Sequence, residues 1–405
     1  MPAPFVLIAF RFPPYARIGA YRWSKLSGRL ARMGHEIDVL CAPWPDTEDP
    51  GWFGDVQHDN IRIHRVPSLY PHELRAAQFE QRLLQKAHGK LFRLLDRATP
   101  AHDIASLWGY RLLPAARRLL ASHPKKRLVI TTGAPFSANY WAARLKLERP
   151  DMALIQDFRD PWLTSSEELH TSAWAERFKV ATTHADVLVS VTPEMSTLYR
   201  DLTGHAHVVT VPNGVELASI RRAGHPLPRR YDFAYIGNVF NGRDEPLSIF
   251  LSWVRQRKAA GDAPRTVIAG LYPNHFRTTF GDLIATGELT LEPHLPQDQA
   301  FRLLAASKIA LHLNGPGALG TFQTTTKLVE HAALERPTLS LNYGGATEEF
   351  IRARRLGWSV RADSPTLPEQ LERCWKLEGD FDFDVSEFDF DSTARRYSSL
   401  IESVA

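Results

Sequence analysis

The first half of the chain alternates short apolar runs with longer segments in which apolar residues recur at helical spacing. The apolar runs predict strands at 5–10, 36–41, 61–66, 128–132, 152–156 and 187–191. The segments between them predict helices at 23–33, 75–97, 112–122, 137–147 and 173–183. Because strands and helices alternate, we predict a parallel sheet with helices on both of its faces.

The same alternation starts again in the second half. Predicted strands lie at 232–236, 266–269, 289–292, 309–313, 337–341 and 359–360. A polar, basic and proline-broken segment at 213–230 is typical of a linker. The pattern predicts an α/β fold of two Rossmann-like, doubly wound domains at 1–212 and 231–385. A final segment at 386–405 contains a predicted helix.

Composition fits a soluble globular protein with more than one core. The chain has 405 residues, of which 44% are hydrophobic and 23% charged. Its two cysteines, Cys41 and Cys374, form no metal or redox motif, which favours a reducing compartment. No apolar run is long enough to cross a bilayer, and Arg11 and Arg17 interrupt the first one. We therefore predict a cytoplasmic protein, with peripheral contact at the inner face of the cytoplasmic membrane as an option.

A threonine-rich turn precedes a short predicted helix in the second domain. Thr324, Thr325 and Thr326 stand where a helix start needs hydroxyl caps. Lys327 follows, and Glu330 lies on the same helical face. A helix N-terminus beside a lysine can bind a phosphate, and a carboxylate one turn further can accept hydrogen bonds from ribose hydroxyls. The alternative is an ordinary capped helix with a solvated lysine and glutamate.

Charged residues also crowd behind a strand of the first domain. Asp157, Arg159 and Asp160 directly follow the predicted strand at 152–156. They are candidate catalytic residues because the carboxyl ends of the strands form the binding edge of a doubly wound sheet. The alternative is an Asp–Arg–Asp network that only braces the loop.

Glycines mark further places where backbone can approach a ligand closely. Gly19 is the only such residue in the loop after the first strand, and no G-x-G-x-x-G dinucleotide pattern is present there. In the second domain, Gly237 and Asn238 form a turn that leads to Arg243. The planar guanidinium of Arg243 can bind an anionic group, although an exposed arginine at a helix start is the alternative.

These motifs together resemble those of retaining GT-B glycosyltransferases of family four. The resemblance covers nearly the whole chain and rests on FRFPPYARIGAYRW, TTGAPFSANYW, DFRDPW, HADVLVSVTPEM, VVTVPNGVE, FAYIGNVFNGRDEPL and TKLVEHAALERPTLSL. It implies the GT-B fold, with an interdomain cleft, an N-terminal acceptor-binding domain and a C-terminal nucleotide-sugar-binding domain. It also implies that the segment at 386–405 crosses back to the first domain.

The resemblance implies roles for individual residues. Gly19 corresponds to the glycine beside the donor phosphates, and Arg243 to the basic residue that neutralises the leaving diphosphate. Lys327 would supply a second positive charge. Glu330 corresponds to the glutamate that binds ribose hydroxyls, whereas Phe322 stands where the family has another glutamate near the donor sugar. The remaining donor-binding candidates are Gly237, Asn238, Thr325 and Thr326.

The implied reaction transfers a sugar from a UDP- or GDP-linked donor with retention, by front-face attack in which the leaving phosphate takes the acceptor proton. Neither a cofactor nor a metal ion is expected. Asp157, Arg159 and Asp160 would orient the donor or acceptor sugar. If the product were inverted, Asp157 or Asp160 would be the general base.

The expected acceptor is a saccharide or a lipid-linked molecule of surface polysaccharide or glycoconjugate synthesis. The basic amphipathic helix predicted at 75–97 can lie on an anionic membrane, and a core-facing helix with solvated charges is an equal alternative. Nucleic acid is not an expected partner, since no nucleic-acid-binding module is visible. Two other functions stay open, a sugar-nucleotide epimerase of GT-B fold and an inactive sugar-nucleotide-binding partner subunit.

Overall fold

The computed structural model divides the chain into two compact units. It describes residues 2–45, 48–69, 99, 103–123, 125, 127–162, 172–224, 228–240, 242–316 and 325–405. The N-terminal unit comprises Met1–Gly214 and Phe390–Ala405, and the C-terminal unit comprises Val215–Asp389. The predicted basic helix at 75–97, Phe322 and Thr324 lie outside the described residues.

The N-terminal unit contains a seven-stranded sheet with parallel neighbours throughout. Its strands are β1 (Phe5–Ile8), β2 (Ile37–Cys41), β3 (Ile61–Arg65), β4 (Leu128–Gly133), β5 (Ala153–Phe158), β6 (Val187–Ser190) and β7 (Val208–Thr210). Their spatial order is β3-β2-β1-β4-β5-β6-β7. The chain therefore builds the sheet outward from β1 in one direction and from β4 in the other, which is a doubly wound arrangement.

Apolar side chains cover both faces of this sheet. Along β1, Val6 and Ile8 join one buried cluster, and Phe5 and Leu7 join the other. This alternation follows from the two-residue period of a strand. The described helices of the unit are α1 (Ile18–Arg32), α2 (Gly109–Ser122), α3 (Ser137–Glu148), α4 (Ser172–Thr182), α5 (Pro193–Thr203) and the C-terminal α14 (Phe390–Val404), numbered in chain order.

The C-terminal unit repeats the plan with six parallel strands. They are β8 (Tyr231–Ile236), β9 (Thr266–Ala269), β10 (Leu289–Glu292), β11 (Ser307–Leu313), β12 (Thr338–Asn342) and β13 (Gly357–Arg361), in the spatial order β10-β9-β8-β11-β12-β13. The described helices are α6 (Leu217–Ala223), α7 (Asp244–Ala259), α8 (His275–Thr279), α9 (Gly281–Thr286), α10 (Gln297–Ala305), α11 (Thr326–Ala333), α12 (Ala346–Arg354) and α13 (Leu367–Trp375). The predicted α/β class with two doubly wound units is confirmed.

The segment predicted as a linker at 213–230 is largely part of the C-terminal unit. Its residues 217–223 form helix α6, and Val215, Leu217 and Ile220 are buried in the core of that unit. Composition suggested a linker because the basic and proline residues are frequent, but these three apolar residues bury one face of the segment. The unit boundaries lie instead between residues 214 and 215 and between 389 and 390.

A buried carboxylate joins three elements of the N-terminal unit. Asp157, at the end of β5, has 0% exposure. It accepts hydrogen bonds from Trp23 Nε1 at 2.7 Å, from the Tyr397 hydroxyl at 2.5 Å, and from Nε and Nη2 of Arg22 at 3.3 Å. Trp23 and Arg22 belong to α1, and Tyr397 belongs to α14. A carboxylate with this many donors is stable in a buried position, whereas loss of a partner is costly.

The same network fixes the chain where it leaves the N-terminal unit. Arg22 also donates to the carbonyl oxygens of Val211 and Pro212 at 2.9 and 2.8 Å, and to Oδ1 of Asn213 at 3.0 Å. At the other crossing, Arg29 of α1 pairs with Asp391 at 2.7 Å. Both ends of the chain at the unit boundary are thus bonded to helix α1.

We predict that Tyr397→Phe destabilises the N-terminal unit. The variant keeps the buried ring but removes the hydroxyl that donates to Asp157, and a hydrogen bond to a charged group contributes about 1.5–3 kcal/mol. Hydrogen exchange of the β5 and α14 amides should report a loss of protection free energy in this range.

Tyr140→Phe is the matched control. Tyr140 is half-buried on α3, and its hydroxyl has no hydrogen-bond partner among the residues that the structure describes. Its loss should change protection by less than about 0.5 kcal/mol. Equal effects of the two variants would contradict a stabilising role for the Asp157 network.

Candidate functional site

Each sheet has one place where the strand order reverses, and the candidate residues cluster beside these two places. The reversal lies between β1 and β4 in the N-terminal unit and between β8 and β11 in the C-terminal unit. Ligands of doubly wound proteins bind beyond the carboxyl ends of the strands at such a crevice. The two clusters are described separately below.

Lys327 lies in the first turn of α11, and its side chain reaches the end of β8. Its Nζ donates to the Ile236 carbonyl at 2.7 Å and lies 5.2 Å from the ring centre of Tyr235. Burial lowers the pKa of Lys327 to about 8, Glu330 opposes this shift, and the charge of Arg243 adds to it. The ammonium group is therefore held close to another cation, an arrangement that favours binding of an anion.

Two features favour glycine at position 237 in the turn after β8. Gly237 has φ of 147°, and a Cβ there would lie 2.1 Å from Lys327 Nζ. Asn238 supports the turn, since its carbonyl accepts from the Tyr235 hydroxyl at 3.0 Å and its Oδ1 accepts from the Leu271 amide at 3.4 Å. Asn238 is exposed, and both of these contacts are within the protein. The sequence predicted that Gly237 and Asn238 bind the donor. In the structure, both hydrogen bonds of Asn238 stabilise the turn.

Arg243 is half-buried immediately before α7. Its charge adds to the burial that lowers the pKa values of Lys327 and His312, and it opposes the burial that raises the pKa of Tyr235, so its guanidinium is within electrostatic range of all three. Among the described residues, no side-chain hydrogen bond or ion pair of Arg243 is found. The structure thus brings Arg243 and Lys327 to the same strand ends, and an external anion can bind to both.

The start of α11 differs from the predicted capped helix. Thr325 occupies the N-cap position, but its side chain makes no capping bond. Its hydroxyl instead pairs with His312 Nε2 at 3.2 Å. Thr325 therefore does not provide the predicted hydroxyl cap, and Thr326 is the first residue of the helix and not a cap. The N–H groups of a helix start and the helix dipole favour an anion at this position.

Two buried histidines support this region without adding charge. His312 and His331 are each 2% exposed. Burial is the main cause that lowers the pKa of His331 to about 3 and that of His312 well below its ordinary value. His312 also bonds to Ser340 Oγ at 3.0 Å and His331 bonds to Thr338 Oγ1 at 3.0 Å. Both imidazoles are thus neutral hydrogen-bonding groups, and sequence reasoning did not identify them.

Glu330 lies one turn beyond the start of α11 and is half-buried. Burial raises the pKa of its carboxyl, while the Lys327 charge and a hydrogen bond with Thr326 oppose this change. The predicted Lys327–Glu330 neighbourhood is therefore present on one helical face. A partly buried carboxylate here can accept hydrogen bonds from hydroxyl groups of a ligand that reaches Lys327.

Two separate ion pairs, and not a single Asp–Arg–Asp network, hold the loop that follows β5 in the N-terminal unit. Asp157 pairs with Arg22, at 3.3 Å, whereas Asp160 pairs with Arg159, also at 3.3 Å. Arg159 donates to the carbonyl of Gly19 and, at 3.1 Å, to that of Ala134. It thereby joins the loops that follow β1, β4 and β5.

Asp157 and Asp160 differ in what they can contact. Asp157 has both oxygens bonded inside the protein and is fully buried, so its contacts are those of a positioning residue. The Asp160 side chain is 48% exposed. Burial lowers the pKa of Arg159, and Asp160 is the nearest charge opposing that shift. Of the two carboxylates, Asp160 is the one that a ligand can reach.

Sequence reasoning missed Arg22, Tyr397 and Arg11. The first two bond to Asp157 across 135 and 240 residues of sequence, and no local pattern signals such contacts. Arg11 follows the first strand directly, so its position beyond a strand end was the available signal. Its side chain lies over the Tyr15 ring, with its guanidinium carbon 5.6 Å from the ring centre.

Comparison with known proteins agrees with these features. Residues 19–214 match a family described as glycosyl transferase 4-like domain. A search of curated proteins found no match. Three solved structures with a similar fold are a glycosyltransferase from Rickettsia africae, Alr3699/HepE from Anabaena in complex with UDP, and an E. coli structure described as trehalose-6-phosphate bound with UDP-2-fluoro glucose.

The similarity to these structures extends over the complete fold. Identities are 10%, 12% and 12%, and TM-scores are 0.61, 0.57 and 0.64, respectively. The matches cover 100%, 99% and 100% of this chain and 98%, 95% and 100% of the others. The chain thus has the GT-B fold. The match of residues 19–214 to a glycosyl transferase 4-like domain, together with this fold, supports a glycosyltransferase.

The charges around Lys327 give a direct prediction. Competitive chemical labelling read by mass spectrometry should show Lys327 titrating near pH 8, below the value of about 10.4 for exposed lysines. Arg243→Gln should raise this pKa because it removes a nearby positive charge, and Glu330→Gln should lower it further. Arg255→Gln, an arginine of α7 that pairs with Asp282, should leave it unchanged. A Lys327 titration at the value of an exposed lysine would contradict the described geometry.

Proposed function

We propose that the protein transfers a sugar from a UDP- or GDP-linked donor to a saccharide or lipid-linked acceptor. The observation that carries this proposal is the group of Arg243, Lys327 and the start of α11 at the ends of β8 and β11. A diphosphate has the charge and size to bind all three at once. Glu330 then lies one helical turn away, where it can accept hydrogen bonds from the ribose. The nucleotides in the Anabaena and E. coli neighbours support a nucleotide donor.

The positive charges act on the leaving group. During transfer, the bond between the sugar anomeric carbon and the diphosphate oxygen breaks, and its electron pair stays on the diphosphate. Arg243 and Lys327 stabilise this developing negative charge, as do the N–H groups of α11. The acceptor hydroxyl oxygen bonds to the anomeric carbon, and its proton passes to the departing phosphate oxygen. No divalent metal is required in this scheme because the protein supplies the compensating charge.

We propose retention of configuration. A double displacement or an inverting reaction needs a carboxylate beside the sugar ring. Asp157 accepts hydrogen bonds from five donor atoms, the fifth being the Thr132 hydroxyl, and is unavailable for that role. Asp160 would be the base if inversion occurred, since its side chain is about half exposed. The anomeric coupling constant of the product in proton NMR distinguishes the two outcomes.

The acceptor side of the proposal extends to surface polysaccharide or glycoconjugate synthesis. Among the helices that the structure describes, none is both long and apolar enough to span a bilayer. Peripheral contact with anionic lipid, through the basic segment at 75–97, would bring the protein to a lipid-linked acceptor.

A donor panel tests the proposed function. Purified protein is incubated with UDP-, GDP- and dTDP-sugars in the presence of EDTA, and slow hydrolysis of one UDP- or GDP-sugar is expected. Arg243→Gln should lower this rate on the order of a hundredfold because it removes a charge that stabilises the leaving group. The matched control, Arg255→Gln, should retain it. A rearranged nucleotide sugar would indicate an epimerase, and binding without turnover an inactive partner subunit.

Glu330 should select for the ribose. Glu330→Ala is expected to weaken binding of the nucleoside diphosphate by about 1.5–3 kcal/mol, the contribution of hydrogen bonds to a charged group. Calorimetry should also show that the wild type prefers the ribonucleotide to its 2′,3′-dideoxy analogue and that the variant has lost this preference. Glu369→Ala, an exposed glutamate of α13, should behave as wild type. An unchanged preference in the folded Glu330 variant would rule out the ribose contact.

A further inference from the structure

The crevice between β1 and β4 contains two arginines that the proposed donor site does not use. Arg11 lies just beyond the end of β1, and Arg159 just beyond the end of β5. Within the part of the chain that the structure describes, Arg11 has no ion pair and no hydrogen bond from its guanidinium. Its Nε atom is buried without a hydrogen-bond partner. A buried donor in this state is uncommon in proteins and indicates a missing partner.

The surrounding structure holds Arg11 in place. Its side chain lies against Gly19, where a Cβ would be 2.8 Å from Arg11 Cδ, and it extends over the Tyr15 ring. Tyr15 in turn packs on Trp44, with ring centres 4.5 Å apart. Gly19 is therefore required here for the passage of an arginine side chain. A restrained guanidinium loses less conformational entropy when it binds a ligand than a free surface arginine does.

Arg159 adds a second positive charge to the same place. Its Nη atoms donate to the Gly19 and Ala134 carbonyls, and its Nε is buried with no hydrogen-bond partner, although Asp160 lies 3.3 Å away as an ion-pair partner. Arg11 is close enough that its charge disfavours the charged form of Arg159. Among the described residues, Asp160 forms an ion pair with Arg159, and no ion pair of Arg11 is found, so an additional anion would relieve the repulsion between the two guanidinium groups.

We propose that Arg11 and Arg159 bind an acidic group of the acceptor, a phosphate or a carboxylate, at the carboxyl ends of β1 and β5. This inference rests on the proposed transferase function and specifies the acceptor class for it. Arg11 contacts the anion through its guanidinium fork. Arg159 acts mainly as a positioning residue, because two of its donors already hold the loops on either side. The hydroxyl that accepts the sugar then belongs to an acidic saccharide or to the sugar of a phospholipid-linked acceptor.

A phosphate could also come from the donor, and the test separates these sources. Calorimetric titrations of the full chain use glucose 6-phosphate, glucuronate and glucose as probes, each with and without saturating UDP or GDP. The wild type should bind both acidic probes, also when the nucleotide occupies its own site, and should bind glucose far more weakly. Arg11→Gln should weaken binding of the acidic probes about tenfold or more and leave the nucleotide affinity unchanged. Arg118→Gln, an exposed arginine of α2 in the same unit, is the control and should change neither.

Three results would overturn the assignment. Equal binding of acidic and neutral probes by the wild type would show that no anion site exists. If Arg11→Gln bound the acidic probes as tightly as the wild type does, the anion site would lie elsewhere. If Arg11→Gln lost affinity for the nucleotide, the anion bound by Arg11 would be part of the donor. Failure of the wild type to bind any nucleotide contradicts the proposed function instead, and the titrations without nucleotide still test the anion site. Because Arg11 is half-exposed, its variant should fold, and an unchanged thermal midpoint checks this.

Discussion

The position of the Lys327 ammonium at the end of β8 is the constraint on which the rest of the C-terminal site depends. A positive charge that is partly removed from water and close to Arg243 is unfavourable without an anion. A side chain at position 237 would approach this ammonium group, and the φ of 147° there favours glycine. The neighbouring histidines are neutral and add no further charge. This arrangement favours a strongly anionic ligand, and the proposed leaving diphosphate would be stabilised here without reorganisation.

The N-terminal unit uses its charges in two distinct ways. The Arg22–Asp157 pair is fully buried and joins α1, β5 and α14, so it fixes the scaffold. Arg11 and Arg159 lie at the ends of the strands, and within the described part of the chain Arg159 pairs with Asp160. The first pair holds the start of α1 in position, whereas Arg11 lies in the loop before α1 and Gly19 in its first turn. Arg22 thus stabilises the unit, and Arg11, from the same stretch of sequence, is the proposed binding residue.

Most of the fold could be predicted from sequence because buried parallel strands are continuous apolar runs. The strands at 266–269 and 289–292 were predicted with the bounds that the structure has. The segment at 213–230 was predicted as a linker because it contains many basic residues. Its few apolar residues, Val215, Leu217 and Ile220, are buried in the core of the C-terminal unit. Arg243 and Lys327 could be proposed as site residues because they follow a strand end or lie at the start of a helix, and Glu330 because it lies on the same helical face as Lys327. The partners of Asp157 could not be predicted, since Tyr397 is 240 residues away and only tertiary packing brings it near. Thr325 was predicted to cap the helix, but its hydroxyl pairs with His312. This contact could not be predicted either, because His312 belongs to a different element.

The most direct test of the central claim compares a nucleoside diphosphate with its monophosphate by calorimetry at pH 7. If Arg243, Lys327 and the start of α11 bind the diphosphate, UDP or GDP should bind at least about tenfold more tightly than UMP or GMP, the difference expected from one further charge-assisted contact. In the Arg243→Gln/Lys327→Gln double variant, this difference should disappear while the protein stays folded. Equal affinities of the wild type for the diphosphate and the monophosphate would contradict the account.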